Sequence, residues 1–166
     1  MHSETSTISS NAQLCGYLPS GCNAIITGLG ESNIFSQLHY SARISIAWQN
    51  STANGLGGHC APITGSAVLK DLEQTNDSLT ISILGTVCDK GKENPFGNHK
   101  MSGTFIVKSG TGKYALATGS GILKGYDKKN KIHFSATGKL EHIRFDTKIK
   151  DRDDDNKEDV EDVSGR

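Results

Sequence analysis

The stretch from Gly103 to Gly121, GTFIVKSGTGKYALATGSG, restricts the fold of this chain more than any other segment. Phe105, Ile106 and Val107 are strand formers, and turn residues follow them from Ser109 to Lys113. Gly110 and Gly112 allow the chain to reverse within a few residues, since glycine takes positive φ without a Cβ clash. Gly119 and Gly121 then lie two apart in the returning strand. Residues two apart share a face, so that face carries no side chain there and another backbone can come close. A sheet with such a bare patch can bend sharply, as the closure of a barrel requires. An ordinary glycine-rich hairpin in an open sheet is the competing reading.

The run Gly110-Thr111-Gly112-Lys113-Tyr114, followed by Ala117 and Gly119, resembles the G-T-G-x-aromatic-x-x-A-x-G signature of the allene oxide cyclase and dirigent barrel superfamily. Its uncharacterised secreted members, with similar G-T-G-[RK]-[FY] runs, look closer still. The signature covers about ten residues, and a looser strand pattern extends the resemblance over residues 23–149. It implies an eight-stranded antiparallel barrel, often trimeric, around an apolar cavity. It also implies cavity carboxylates, alone or with arginine, that steer a reactive intermediate. Those groups find no match here. The first strand, Asn23 to Gly28, holds no acidic residue, nor does the apolar face of the second, and Glu73 and Glu141 stand in no corresponding motif.

Hydrophobic alternation supports the all-β reading along the rest of the chain. Between Ile34 and Trp48, six residues (Leu38, Tyr40, Ala42, Ile44, Ile46 and Trp48) fall on one face of a strand. Ile63–Leu72, Ser78–Val87, Lys131–Gly138 and Leu140–Ile149 alternate in the same way, with turns or loops at 50–59, 72–77, 90–98 and 126–130. The expected fold is a single antiparallel closed barrel of about eight strands with little helix, over residues 14–150. A two-sheet sandwich would fit the pattern nearly as well. Residues 1–13 read as a flexible arm. Residues 151–166, DRDDDNKEDVEDVSGR, have too little apolar content to fold and read as a disordered acidic tail. Asp151, Asp153, Asp155, Asp159 and Asp162 have calcium-loop spacing, but Asn156 stands where glycine is needed and position twelve is not Glu.

The charge balance is zero overall, with 18 basic and 18 acidic residues. The tail holds eight of the acidic and three of the basic residues, which leaves the domain mildly basic. Its lysines are scattered, and no dense basic face with stacking aromatics suggests a nucleic-acid partner. No apolar run approaches the length of a membrane-spanning helix. The N-terminus carries no basic-then-apolar leader, which fits a cytosolic protein or a mature secreted chain.

The four cysteines, Cys15, Cys22, Cys60 and Cys88, allow three pairings, and sequence alone does not choose among them. The favoured pairs are Cys15–Cys22, across a stretch able to loop back, and Cys60–Cys88, near the same end of one hairpin. Such bridges imply a secreted or periplasmic location. Free thiols, or a zinc site of His59, Cys60 and Cys88, are the alternatives. The zinc reading lacks the C-x-x-C pair such sites normally contain. No metal or cofactor is expected. The sequons at Asn50 and Asn76 matter only in a eukaryotic secretory route.

Catalytic motifs are missing. There is no G-x-S-x-G elbow, no H-E-x-x-H pair and no phosphate loop, and Gly110–Lys113 is better read as a hairpin turn. Of the six histidines, His39 and His133 sit on the polar faces of their strands. The leading reading is a secreted barrel that takes a small hydrophobic molecule into its interior, as a monomer or as a homodimer or homotrimer. Tyr40, Ile44, Trp48, Ile83 and Phe105 are the expected wall, with plain core packing as the competing role for all five. A cofactor-free cyclase or isomerase that acts by holding its substrate in one conformation is the second reading. A filled structural barrel is the third. A buried carboxylate, histidine or tyrosine facing a cavity would favour the enzyme, and an apolar cavity alone would favour binding.

Overall fold

Among the described residues nine strands follow one another: β1 (His2–Ile8), β2 (Cys22–Gly30), β3 (Leu38–Ile46), β4 (Thr52–Ala53), β5 (His59–Asp71), β6 (Ser78–Cys88), β7 (Lys100–Thr111), β8 (Thr118–Lys128) and β9 (Lys131–Glu141). They come from a computed structural model that describes residues 2–8, 21–55, 57–89, 99–128 and 131–144. Single 3-10 turns at Trp48–Asn50 and Gly112–Tyr114 are the only other regular elements among the described residues. The acidic tail, the loop 90–98, Cys15 and residues 145–149 lie outside them.

All the strands belong to one antiparallel sheet, in the order β1-β9-β8-β7-β6-β5-β3-β2, with the short β4 paired to β5. One face of this sheet is apolar. Ile26, Tyr40, Ile44, Ile63, Ile81, Ile83, Phe105, Leu123 and Ile132, drawn from seven strands, pack into a single buried cluster. Among the described residues no second layer covers that face, and the sheet buries it by curling onto itself.

The curl has three sources that can be read from the residues. Glycines face glycines across neighbouring strands, as Gly85 opposite Gly103 and Gly121 opposite Gly138. A Cβ on Gly121 would lie 2.6 Å from the Gly138 Cα and 2.3 Å from the Thr137 oxygen, so backbone occupies the space a side chain would need. The Phe105 ring lies over both glycines and fills the bare lane. A register shift between β6 and β7 at Thr80/Ile81 adds a bulge, which increases local twist.

Curling stops short of the closed barrel expected from the sequence. The sheet is an open half-barrel whose hydrogen-bonded path ends at β1 and β2. Cα atoms of these two edges approach within 8 Å, but no ladder joins them. Neighbouring strands in a ladder lie about 4.8 Å apart, so approach alone does not make the bonds. Three other expectations change. Residues 2–8, read as part of a loose arm, form a strand in register with β9, from His2 opposite Thr137 to Ile8 opposite Lys131. Of the separate final strand expected over 140–149, Leu140 and Glu141 instead end β9, His142 takes φ 59°, a left-handed conformation that ends the ladder, and residues 145–149 lie outside the described residues.

Finally, the second strand is shorter than its alternation suggested. Ser36 N–H donates to Asp71 Oδ2 and the Ile34 carbonyl accepts from Tyr114 Oη, so these backbone groups bond to side chains rather than to a neighbouring strand. At its other end Trp48 leaves the strand for a 3-10 turn.

Cys60 and Cys88 are register partners on β5 and β6 and form a disulfide. Their sulfurs are therefore not available for the zinc alternative. Cys22 is also disulfide-bonded, and its expected partner Cys15 lies outside the described residues. The Cys60–Cys88 bridge closes a loop of 28 residues. Replacing both cysteines by alanine should lower stability by about 3 kcal/mol, read as a shift of the urea midpoint. An unchanged midpoint would mean that the β5–β6 ladder alone supplies the constraint.

Candidate functional site

The signature residues build the cap at one end of the sheet. Gly112 takes φ +58°, and a Cβ there would fall 1.9 Å from Asp77 Oδ1. The carboxylate occupies that space and accepts the Lys113 backbone N–H at 3.0 Å, while Lys113 Nζ lies 3.3 Å from Asp77 Oδ2. Thr111 Oγ1 donates to the Asn76 carbonyl. Tyr114 turns inward, is fully buried, and packs its ring against that of Phe35, tilted, with the centroids 5.0 Å apart. Phe35, Leu38, Leu79, Tyr114 and Ala117 form a second apolar cluster that plugs this end. The glycine turn therefore acts as a structural clamp, in keeping with its reading as a hairpin turn.

Asp71, at the end of β5, anchors the loop that carries Phe35. Its buried carboxylate accepts from the backbone N–H groups of Ser36 (3.0 Å), Glu73 (3.0 Å) and Gln74 (3.4 Å). Burial pushes its pKa up, but these donors outweigh burial and hold the group below the usual carboxylate range. Its carboxylate thus ties the Phe35 loop, through Ser36, to the turn that follows β5, through Glu73 and Gln74, and it does not line the cavity described next.

Between the two clusters lies an apolar cavity of about 70 Å³. Phe35 and Leu38 close it on the capped side, and Tyr40, Ala42, Ile44, Ala67, Ile81, Ile83, Leu123 and Phe134 are among the residues around it. Three of the five expected wall residues, Tyr40, Ile44 and Ile83, therefore meet at one space. Trp48 and Phe105 do not. Both are buried in the main core, Trp48 towards the other end of the sheet and Phe105 on the glycine lane. Phe134, Leu123 and Leu38 were legible as inward positions of their strands but were not singled out. Phe35 sits in coil, where no period marks it.

Among the described residues around the cavity, only Tyr40 has a polar side chain. Its ring meets Phe134 edge-on at 6.5 Å, and its hydroxyl is buried without a hydrogen-bond partner among the described residues. Burial pushes its pKa up, so the phenol stays protonated and can act only as a neutral donor or acceptor.

A buried histidine lies elsewhere. His99 Nδ1 is 2.9 Å from Asp127 Oδ2, its backbone N–H also donates to Asp127, and Asp127 N–H returns a bond to the His99 carbonyl at 3.2 Å. This fixes the start of β7 to the end of β8, with the Trp48 ring 6.1 Å from the imidazole. His99 does not border the cavity. His133 stacks on the exposed Tyr126 at 4.7 Å.

Compared with protein-family models, curated proteins and solved structures, the chain matches none.

Proposed function

We propose that this protein binds a small apolar molecule in the interior of its curled sheet. The observation that carries the reading is the cavity between the two clusters, lined by aliphatic and aromatic side chains from β3, β5, β6, β8 and β9. Pockets of this composition take ligands by shape and apolar contact, with few polar groups to set orientation. Kinship with the allene oxide cyclase and dirigent barrels is part of the same proposal, and the Gly110–Gly119 run supports it. The Cys60–Cys88 disulfide supports a secreted or periplasmic site of action.

A cofactor-free isomerase is the second reading: an apolar space with Tyr40 on its wall can hold a substrate in one conformation for reaction. A homodimer or homotrimer also belongs to the proposal. Leu84, Ile106 and Ile122 stand exposed on the outer face of three adjacent strands, β6, β7 and β8.

Native mass spectrometry of the purified protein tests the set. A co-purified small apolar molecule is the expected result, and the same spectrum gives the number of chains. A ligand-free protein whose cavity residues also take up no small apolar probe would remove both the binding and the isomerase readings.

A further inference from the structure

The outer face of the sheet gathers charged and aromatic side chains that the interior does not use. Where β7, β8 and β9 pair, Lys100, Tyr126 and His133 form one row across the strands, and Ser102, Lys124 and Ser135 form the next. All six border one groove of about 1260 Å³. Pockets for single small molecules are smaller, at roughly 300–1,000 Å³, so the groove suits an elongated ligand.

Two features give the groove its chemistry. Lys100 and Lys124 are both exposed and are diagonal neighbours on one face, about 7–8 Å apart at the backbone. Among the described residues neither has an ion-pair partner. Two ammonium groups at that spacing repel each other, and their flexible stems let both converge on one oxyanion, which relieves the repulsion. Beside them the Tyr126 and His133 rings stack at 4.7 Å, and Tyr126 remains 49% exposed. An aromatic face carries partial negative charge and receives the positively polarised C–H groups of a sugar ring. Ser102 and Ser135, on either side of Lys124, supply hydroxyls that both donate and accept. Carboxylates stand at the margin: Glu31 borders the groove, and Glu4 of β1 is the register partner of Ser135. They disfavour a chain charged at every unit, such as a nucleic acid, and tolerate one of sparse charge.

We propose that this groove binds an acidic oligosaccharide of sparse charge. Lys100 and Lys124 hold one carboxylate, a sugar ring packs on Tyr126, and Ser102 and Ser135 bond neighbouring hydroxyls. The site lies on the opposite face of the sheet from the apolar cavity, so it stands or falls apart from the interior binding role.

Three probes test it: xylotriose bearing one glucuronate, neutral xylotetraose, and single-stranded tetrathymidylate. Each is titrated while the ring resonances of Tyr126 and His133 are followed. The acidic sugar should shift both rings and bind about tenfold more tightly than either of the other probes. Lys100→Gln and Lys124→Gln should each weaken it about tenfold. Lys108→Gln, exposed on the same strand but outside the groove, should leave the affinity unchanged. All three variants should melt within about a degree of the wild type, since each replaces an exposed side chain.

Xylotetraose binding as tightly as the acidic sugar overturns the role given to the two lysines. An equal loss in Lys108→Gln shows general charge attraction and overturns the site. Tighter binding of tetrathymidylate makes the partner a nucleic acid and overturns the saccharide. If no probe shifts the two rings, the proposal falls, and the cavity reading is untouched.

Discussion

Gly121→Val is expected to be the most damaging single substitution in the sheet, with a loss of more than about 4 kcal/mol. Its Cβ would overlap the Thr137 carbonyl and the Gly138 Cα, which are backbone and cannot swing aside. The two methyls would then press on Phe105, whose ring edge already lies 2.6 Å from that Cβ position. Relief requires β8 and β9 to separate where Gly121 and Gly138 pair. The thermal midpoint should fall by more than about 10 °C. Ser120→Val is the control, one residue away on the exposed face of the same strand, and it should move the midpoint by no more than a degree or two. If the two variants melted together, the glycine lane would not be what lets the sheet bend.

Asp71→Asn should cost about 4 kcal/mol at neutral pH, comparable to breaking a buried ion pair. The amide can accept with its oxygen, but its NH₂ must then face one of the backbone donors now bonded to the carboxylate, either Ser36 on one oxygen or Glu73 and Gln74 on the other. The pH dependence gives a second readout. The folded-state pKa of Asp71 lies below its unfolded value near 3.9, so its contribution is complete above that value and disappears as the pH falls through the folded one. Urea midpoints measured between pH 6 and pH 3 should therefore fall more steeply for the wild type than for Asp71→Asn, and the two curves should converge in acid. Parallel curves would show that another carboxylate controls the acid limb. Because Asp71 holds the loop that bears Phe35, the variant should also weaken any ligand bound in the cavity.

How far these features were legible in the sequence depends on whether they are local. The alternation from Leu38 to Ile46 exposes itself because a period of two is a property of neighbouring residues, and every inward position it marked is buried. Gly119 and Gly121 could be placed on one face for the same reason. Their partners could not: Gly85 meeting Gly103, and Gly121 meeting Gly138, depend on register between strands. The end cap was hidden more deeply. Asp71 and Asp77 stand among turn-forming residues and look solvated, yet both are buried because distant backbone donors reach them. Phe35 lies in coil and joins the cavity only through the Asp71 and Tyr114 contacts of its loop. Tyr40 could be read as an inward residue, but an unpaired hydroxyl becomes visible only when all its neighbours are known.

Apart from the two-residue β4, each ladder but one joins strands that are consecutive along the chain. The exception, β1 with β9, bonds His2 to the neighbourhood of Thr137. Consecutive hairpins can zip from either side with little entropy lost in closing loops, whereas that pairing must bring together residues more than a hundred positions apart. It is therefore the last seam to form when the chain folds. As an edge ladder it can also unzip while every other ladder stays intact, which makes the domain a ribbon with a detachable selvage.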